Sequence, residues 1–138
     1  MSPLRIINPK ALGVPKGYSN GVVAPAGSRL LFVAGQIGWD ASQRLVEGGF
    51  VGQFAQALDN LLQVVANAGG SYADIVRMTI YVADRVEYLA SARAAGVEYR
   101  ARFGRHYPAM SLVEVSALLE PGARVEVEAT AALPPESE

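Results

Sequence analysis

The sequence predicts an α+β domain, with two helices packed on one face of a mixed β-sheet. Three observations carry that prediction. Apolar residues Val51, Phe54, Leu58, Leu61, Leu62 and Val65 recur at helical spacing. Residues 75–82 and 124–131 instead alternate with a period of two, as half-buried strands do. The elements run strands, helix, strand, helix, two strands, an order that suits helices layered on one sheet.

The elements follow from the N-terminal side. Residues 13–27 are rich in Gly and Pro and read as loop or short strand. Arg29–Gly35 is a short apolar run, expected to be a strand buried on both faces and ended by Gly35. Residues 36–49 form a long polar connection with room for a brief strand at Leu45–Val46. The first helix spans about 18 residues and closes at Gly69-Gly70, where glycine takes the left-handed cap conformation cheaply.

Asp74 precedes the strand Ile75–Val82, with Val76, Met78, Ile80 and Val82 on one face and Arg77, Thr79 and Tyr81 on the other. Asp84 is suited to N-cap a second helix. The expected buried stripe of that helix is Leu89, Ala92, Gly96, Tyr99 and Phe103, its small residues suggesting close packing on the sheet. Gly104 ends it, and Arg100, Arg102 and Arg105 gather where the helix dipole favours cations. A further strand covers Met110–Val115, Pro121-Gly122 is a turn, and in the last strand Val125, Val127, Ala129 and Ala131 alternate with Arg124, Glu126, Glu128 and Thr130.

Composition narrows the function classes. The 138 residues form one domain over 1–132, with an acidic tail, 133–138, expected to be disordered. Twelve basic against 13 acidic residues give a net charge of −1, which argues against bulk attraction to nucleic acid or acidic membranes. With no Cys and one His, the chain has no thiolate nucleophile, no disulfide and no multi-His metal site of its own. Hydrophobic residues make up 51% and charged ones 18%, so apolar surface is expected to be buried between subunits. No apolar run has the length of a membrane span, and residues 1–10 lack a secretory layout, so a cytoplasmic location is expected.

Several residues are candidates for chemistry. His106 follows the second helix, where a lone His more often caps than catalyses. The three arginines serve either the helix end or an anion such as phosphate or carboxylate, the helix end being the commoner case. Gly35-Gln36-Ile37-Gly38 lacks the Lys-Ser/Thr ending of a phosphate loop. Glu126 and Glu128 share a strand face, pointing either to solvent or into an interface where a carboxylate positions water. Trp39 and Tyr18 lie in loops, where aromatics line sites as often as they fill cores.

Taken in order, a series of short motifs is specific. They are Gly17-Tyr18-Ser19, Val33-Ala34-Gly35-Gln36-Ile37, Gln56-Ala57-Leu58-Asp59-Asn60-Leu61, and Ala68-Gly69 with Asp74-Ile75-Val76-Arg77-Met78-Thr79. Tyr81-Val82-Ala83-Asp84, Tyr107-Pro108-Ala109, Val113-Glu114-Val115 and Val125-Glu126-Val127-Glu128-Ala129 complete it. The series resembles the Rid (YjgF-type) family of reactive-intermediate deaminases, also described as endoribonucleases, from about Gly13 to Ala131.

The resemblance implies a chorismate-mutase-like fold and a homotrimer with small-molecule clefts between subunits. It also implies hydrolysis of enamines or imines to keto acids and ammonia without metal or organic cofactor. Residue by residue, it implies that Tyr18 lies in the cleft, that Gly35 ends the apolar strand, and that Glu126 holds the attacking water. Gln36, Trp39 and Ser111 join the expected substrate-binding set. Where the deaminase subgroup has a carboxylate-binding arginine, this chain has Met110; Leu112 replaces the small thiol residue, and Gly96 aligns near a cleft asparagine. Methionine offers no hydrogen-bond donor, so a less acidic substrate is expected. The alternative is a non-catalytic metabolite-binding or interaction protein on the same scaffold. RNA cleavage is disfavoured by the charge balance.

Overall fold

Alternating burial and hydrogen bonding build a four-stranded sheet in the computed structural model, which describes residues 3–136. The elements are β1 (Arg5–Ile7), β2 (Gly21–Val23), β3 (Arg29–Ile37), α1 (Gly49–Asn67), β4 (Ile75–Val82), α2 (Arg85–Phe103), β5 (Ala109–Glu114) and β6 (Val125–Leu133). Strands β1 and β2 form a separate antiparallel pair. The main sheet runs β3-β6-β4-β5, with β4 and β5 parallel and the other pairs antiparallel. The sheet is therefore mixed, as expected, because α2 carries the chain back between the two parallel strands.

One face of the sheet carries the core. Val125, Val127, Met78, Ile80 and Val33 meet Phe54, Leu58, Leu61 and Val65 of α1, and Tyr99 and Phe103 of α2. Leu58 and Leu61 are fully buried, where truncation to Ala costs about 2–5 kcal/mol. Gln53 is also buried: its Nε2 donates to the Gly122 carbonyl at 3.1 Å and its Oε1 accepts the Arg124 N–H at 2.8 Å. This amide ties α1 to the turn before β6, with both of its own polar atoms paired. Asp84 caps α2 as predicted, accepting from the N–H groups of Val86 (2.9 Å) and Glu87 (3.2 Å). Gly69 leaves α1 with φ 88°, a left-handed conformation that glycine tolerates.

Four expectations are corrected. Gly35 does not end β3, which continues to Ile37 through a register shift between Val33 and Gln36. Nor is β3 covered on both faces within the chain: Leu30 is 59% and Phe32 73% exposed on the face away from the helices. Leu89 is 57% exposed, because Tyr88, one residue and 100° away, takes the inward position on α2. Leu133 belongs to β6 and is buried against the core, so the structured part runs past 132. Beyond it, the Pro134 carbonyl accepts from Arg29 Nε at 2.9 Å and Glu136 pairs with the same guanidinium at 3.5 Å; residues 137–138 of the expected tail lie outside the described residues. The brief strand at Leu45–Val46 is a single bridge between Leu45 and Trp39. Among the described residues, no helix is long and apolar enough to cross a membrane.

Candidate functional site

Two faces of one sheet divide the candidate residues. Strand pairing places Met110 beside Met78 and Leu112 beside Ile80, on the helix-bearing face. Ser111 pairs with Thr79, Thr79 with Glu128, and Tyr81 with Glu126, on the open face. Because successive strand residues point to opposite sides, Glu126 and Met110 cannot share one site within a single chain.

On the helix side lies an open cavity of about 320 Å³, at the small end of ligand sites. Met110 and Leu112 form its strand wall, backed by Ile80 and Phe54. Tyr18 stands on the opposite loop, and α2 contributes Tyr88, Ala92, Gly96 and Tyr99. The small Ala92 and Gly96 thus open space rather than pressing α2 onto the sheet, a second correction to the reading of that helix. Lys16 and Arg100 also line the cavity, so its walls are apolar on the strand side but cationic at the helix and loop.

Local bonding holds this cavity. Ser19 donates through Oγ to the Tyr107 carbonyl at 2.5 Å, and its N–H donates to the Pro108 carbonyl at 3.1 Å, fixing the Tyr18 loop beside β5. Tyr99 donates its hydroxyl to the His106 carbonyl at 2.7 Å and stacks on Tyr107 with ring centroids 5.6 Å apart. Burial, and then the neighbouring Tyr107 phenol, push the Tyr99 pKa well above the usual tyrosine range. Tyr99 is therefore a permanent donor, not an acid–base group. His106 neither caps α2 nor stands at the surface: it is half-buried and its Nε2 lies 2.8 Å from the Ile75 carbonyl at the start of β4, a tie between the helix end and the sheet.

On the open face, Glu126 lies against Gly35. A Cβ on Gly35 would stand 2.8 Å from Glu126 Cδ, well inside contact distance. Among the described residues, Glu126 pairs with no cation. The phenol of Tyr81 is raised above its ordinary pKa by partial burial and then by the charges of Glu128 and Glu126. A carboxylate without a counter-ion, opposite the Tyr81 phenol, can hold a water molecule and serve as a general base.

Gln36 and Trp39 join neither cluster closely. Gln36 Nε2 donates to the Ala34 carbonyl at 3.1 Å within the bulge. The Trp39 carbonyl accepts from Asn60 Nδ2 at 2.9 Å, and the Ile37 carbonyl accepts from the same group at 3.1 Å. Asn60, which nothing in the spacing singled out, thereby anchors the end of β3 to α1.

The arginine cluster is split. Arg102 is held by Asp59 at 2.6 Å and Glu98 at 2.8 Å, and these partners raise its pKa further. Arg105 lines a separate depression with His106. Only Arg100 reaches the cavity.

A family profile described as Endoribonuclease L-PSP matches residues 9–133. The chain is 32% identical over 123 residues to a human protein named 2-iminobutanoate/2-iminopropanoate deaminase, covering 88% of this chain and 84% of that one. It is 36% identical over 128 residues to Protein DfrA of Myxococcus xanthus, covering 89% and 88% of the two chains. The crystal structure of a Rid-family protein of unknown function from Yersinia pestis aligns with a TM-score of 0.81 at 35% identity, over 96% of this chain and all of that one.

Proposed function

From the premise that this chain belongs to the Endoribonuclease L-PSP family, the Rid or YjgF-type proteins with a chorismate-mutase-like fold, we propose that it is a cofactor-free hydrolase of enamines or imines. In this reading it works as a homotrimer in the cytoplasm. Glu126 of one copy faces the Met110–Leu112 cavity of the next. The observation that carries the proposal is the uncompensated Glu126 carboxylate seated against Gly35. The relatives named as 2-iminobutanoate/2-iminopropanoate deaminases support the reaction class.

The chemistry follows from those groups. Glu126 takes a proton from water as the water oxygen bonds to the imine carbon. The imine nitrogen takes that proton from the Glu126 carboxyl and becomes the amine of a carbinolamine. Glu126 then draws the hydroxyl proton and passes it to the nitrogen, so that the C–N bond breaks, the nitrogen leaves as ammonia and the carbonyl forms with Glu126 ionised again. Tyr18, which lines the cavity, bonds the nitrogen or the developing oxygen through its hydroxyl. Such general base assistance contributes about 10²- to 10⁴-fold.

Met110 and Leu112 set the substrate apart from small imino acids. They offer dispersion contact where a donor would grip a short polar substrate, so a substrate with a larger apolar body is preferred. The test is keto-acid formation above the spontaneous rate from 2-imino-4-methylpentanoate and from 2-iminopropanoate, each generated in the assay. The proposal expects faster turnover of the former and loss of turnover in Glu126→Gln. Spontaneous rates with both substrates would overturn it.

A further inference from the structure

Arg100 lies near the end of α2, one turn beyond Gly96. A Cβ on Gly96 would be 3.0 Å from Arg100 Nη1 and 3.7 Å from its Cζ. The guanidinium therefore lies along the helix across the space that any side chain at position 96 would claim, and it lines the cavity that Met110 and Leu112 wall. Unlike Arg102, it forms no ion pair among the described residues. Lys16 enters the same cavity from the facing loop and is likewise unpaired among the described residues. Among the described residues, no Asp or Glu lines the cavity. Within one chain the cavity thus joins an apolar strand wall to two cations that no acid of the same cavity neutralises.

A planar guanidinium matches a carboxylate through two parallel charge-assisted bonds, and an apolar surround strengthens them. We propose that Arg100, supported by Lys16, is the carboxylate-recognising residue of this cavity, and that its ligand is a monocarboxylate with a bulky apolar body. The carboxylate points to α2, and the apolar body rests on Met110 and Leu112. The less acidic substrate expected from Met110 gives way here to a carboxylate, because the cation has moved from the strand, where methionine stands, to the helix. This deepens the proposed function by naming its substrate class, and it rests on that reading only for the identity of the reacting group.

Calorimetric titration of the full chain with 4-methylpentanoate and with its uncharged isostere 4-methylpentanamide tests the assignment. The carboxylate is expected to bind the wild type about tenfold or more tightly than the amide. Arg100→Gln removes that preference and leaves amide affinity unchanged. Arg100→Lys retains part of it, and Lys16→Gln lowers it less than Arg100→Gln does. Glu126→Gln keeps the full preference, so failure of the hydrolase reading would leave this result standing. Equal affinity for the two ligands, no binding of either, or a preference that survives Arg100→Gln overturns the assignment. So does an Arg100→Gln protein whose assembly mass differs from wild type, since the guanidinium would then serve a subunit contact.

Discussion

Gly35 and Glu126 occupy one shared space on the open face of the sheet: the absent side chain of the glycine leaves the volume that the carboxylate fills. The glycine stands in the β3 bulge, where the register against β6 shifts between Val33 and Gln36. Its φ is not in the left-handed region, so what demands glycine here is the carboxylate and not the backbone. Gly35→Ala should therefore fold with nearly unchanged thermal stability while displacing Glu126. Imine hydrolysis should fall about a hundredfold, the scale of an ångström's misplacement at a reacting group. Initial rates beside a melting curve distinguish this from unfolding.

Met110→Arg alone should not raise 2-iminopropanoate hydrolysis to the level of an arginine-bearing relative. The new guanidinium would enter a cavity that already holds Lys16 and Arg100, and like charges in a partly buried space oppose one another. Leu112 would also occupy part of the room its stem needs. Met110→Arg with Leu112→Cys should outperform the single change. Parallel initial-rate assays check this, and a single variant equal to the relative would show that the cavity needed no reshaping.

The open sheet face predicts the assembly. Phe32 is 73% and Leu30 59% exposed on β3 of that face, apolar surface that a lone chain would leave in water. Light scattering should give three times the 14.6 kDa chain mass. Phe32→Glu should lower the mass toward one chain and abolish hydrolysis with it.

Raised tyrosine pKa values predict an alkaline limit. Tyr99 releases its proton less readily in the folded chain, because burial and the nearby Tyr107 disfavour the phenolate. Below the unfolded pKa of about 10 its contribution to stability is complete. Above that value the unfolded state loses its proton first, binds fewer protons than the folded one, and stability falls with rising pH. Urea midpoints should drop between pH 8 and pH 10.5. Tyr99→Phe should lose about 1 kcal/mol at pH 8, from the bond to the His106 carbonyl, and show a shallower decline.

Much of this was legible in the residue order. The period of two in Val125–Ala131 and the helical period of Val51–Val65 report burial on one side, and burial is what the fold delivers. Leu89 misled because a helical stripe can be drawn through either of two adjacent apolar residues, and only packing chooses Tyr88. The β3 run misled because its second apolar face is open within one chain. Arg100 was hidden among three neighbouring arginines of equal charge. What separates it is the partner each one finds: Asp59 and Glu98 for Arg102, and the empty side of Gly96 for Arg100. Gln53 carried no signal, and Asn60 stood out only as part of a family motif, since amides on a helix gain their structural meaning from the carbonyls they reach.

The account turns on a site that no single chain completes, with Glu126 from one copy and the Met110–Leu112 cavity from another. Subunit complementation measures this directly. Glu126→Gln removes the base, and Leu112→Trp fills the cavity, so each variant alone should be inactive. Refolded together in equal amounts, they should regain about a quarter of wild-type imine hydrolysis, the fraction of interfaces that receive an intact Glu126 and an intact cavity from different copies. No regained activity, from mixtures shown by mass to contain both variants in one assembly, would mean that each chain works alone and would contradict the account.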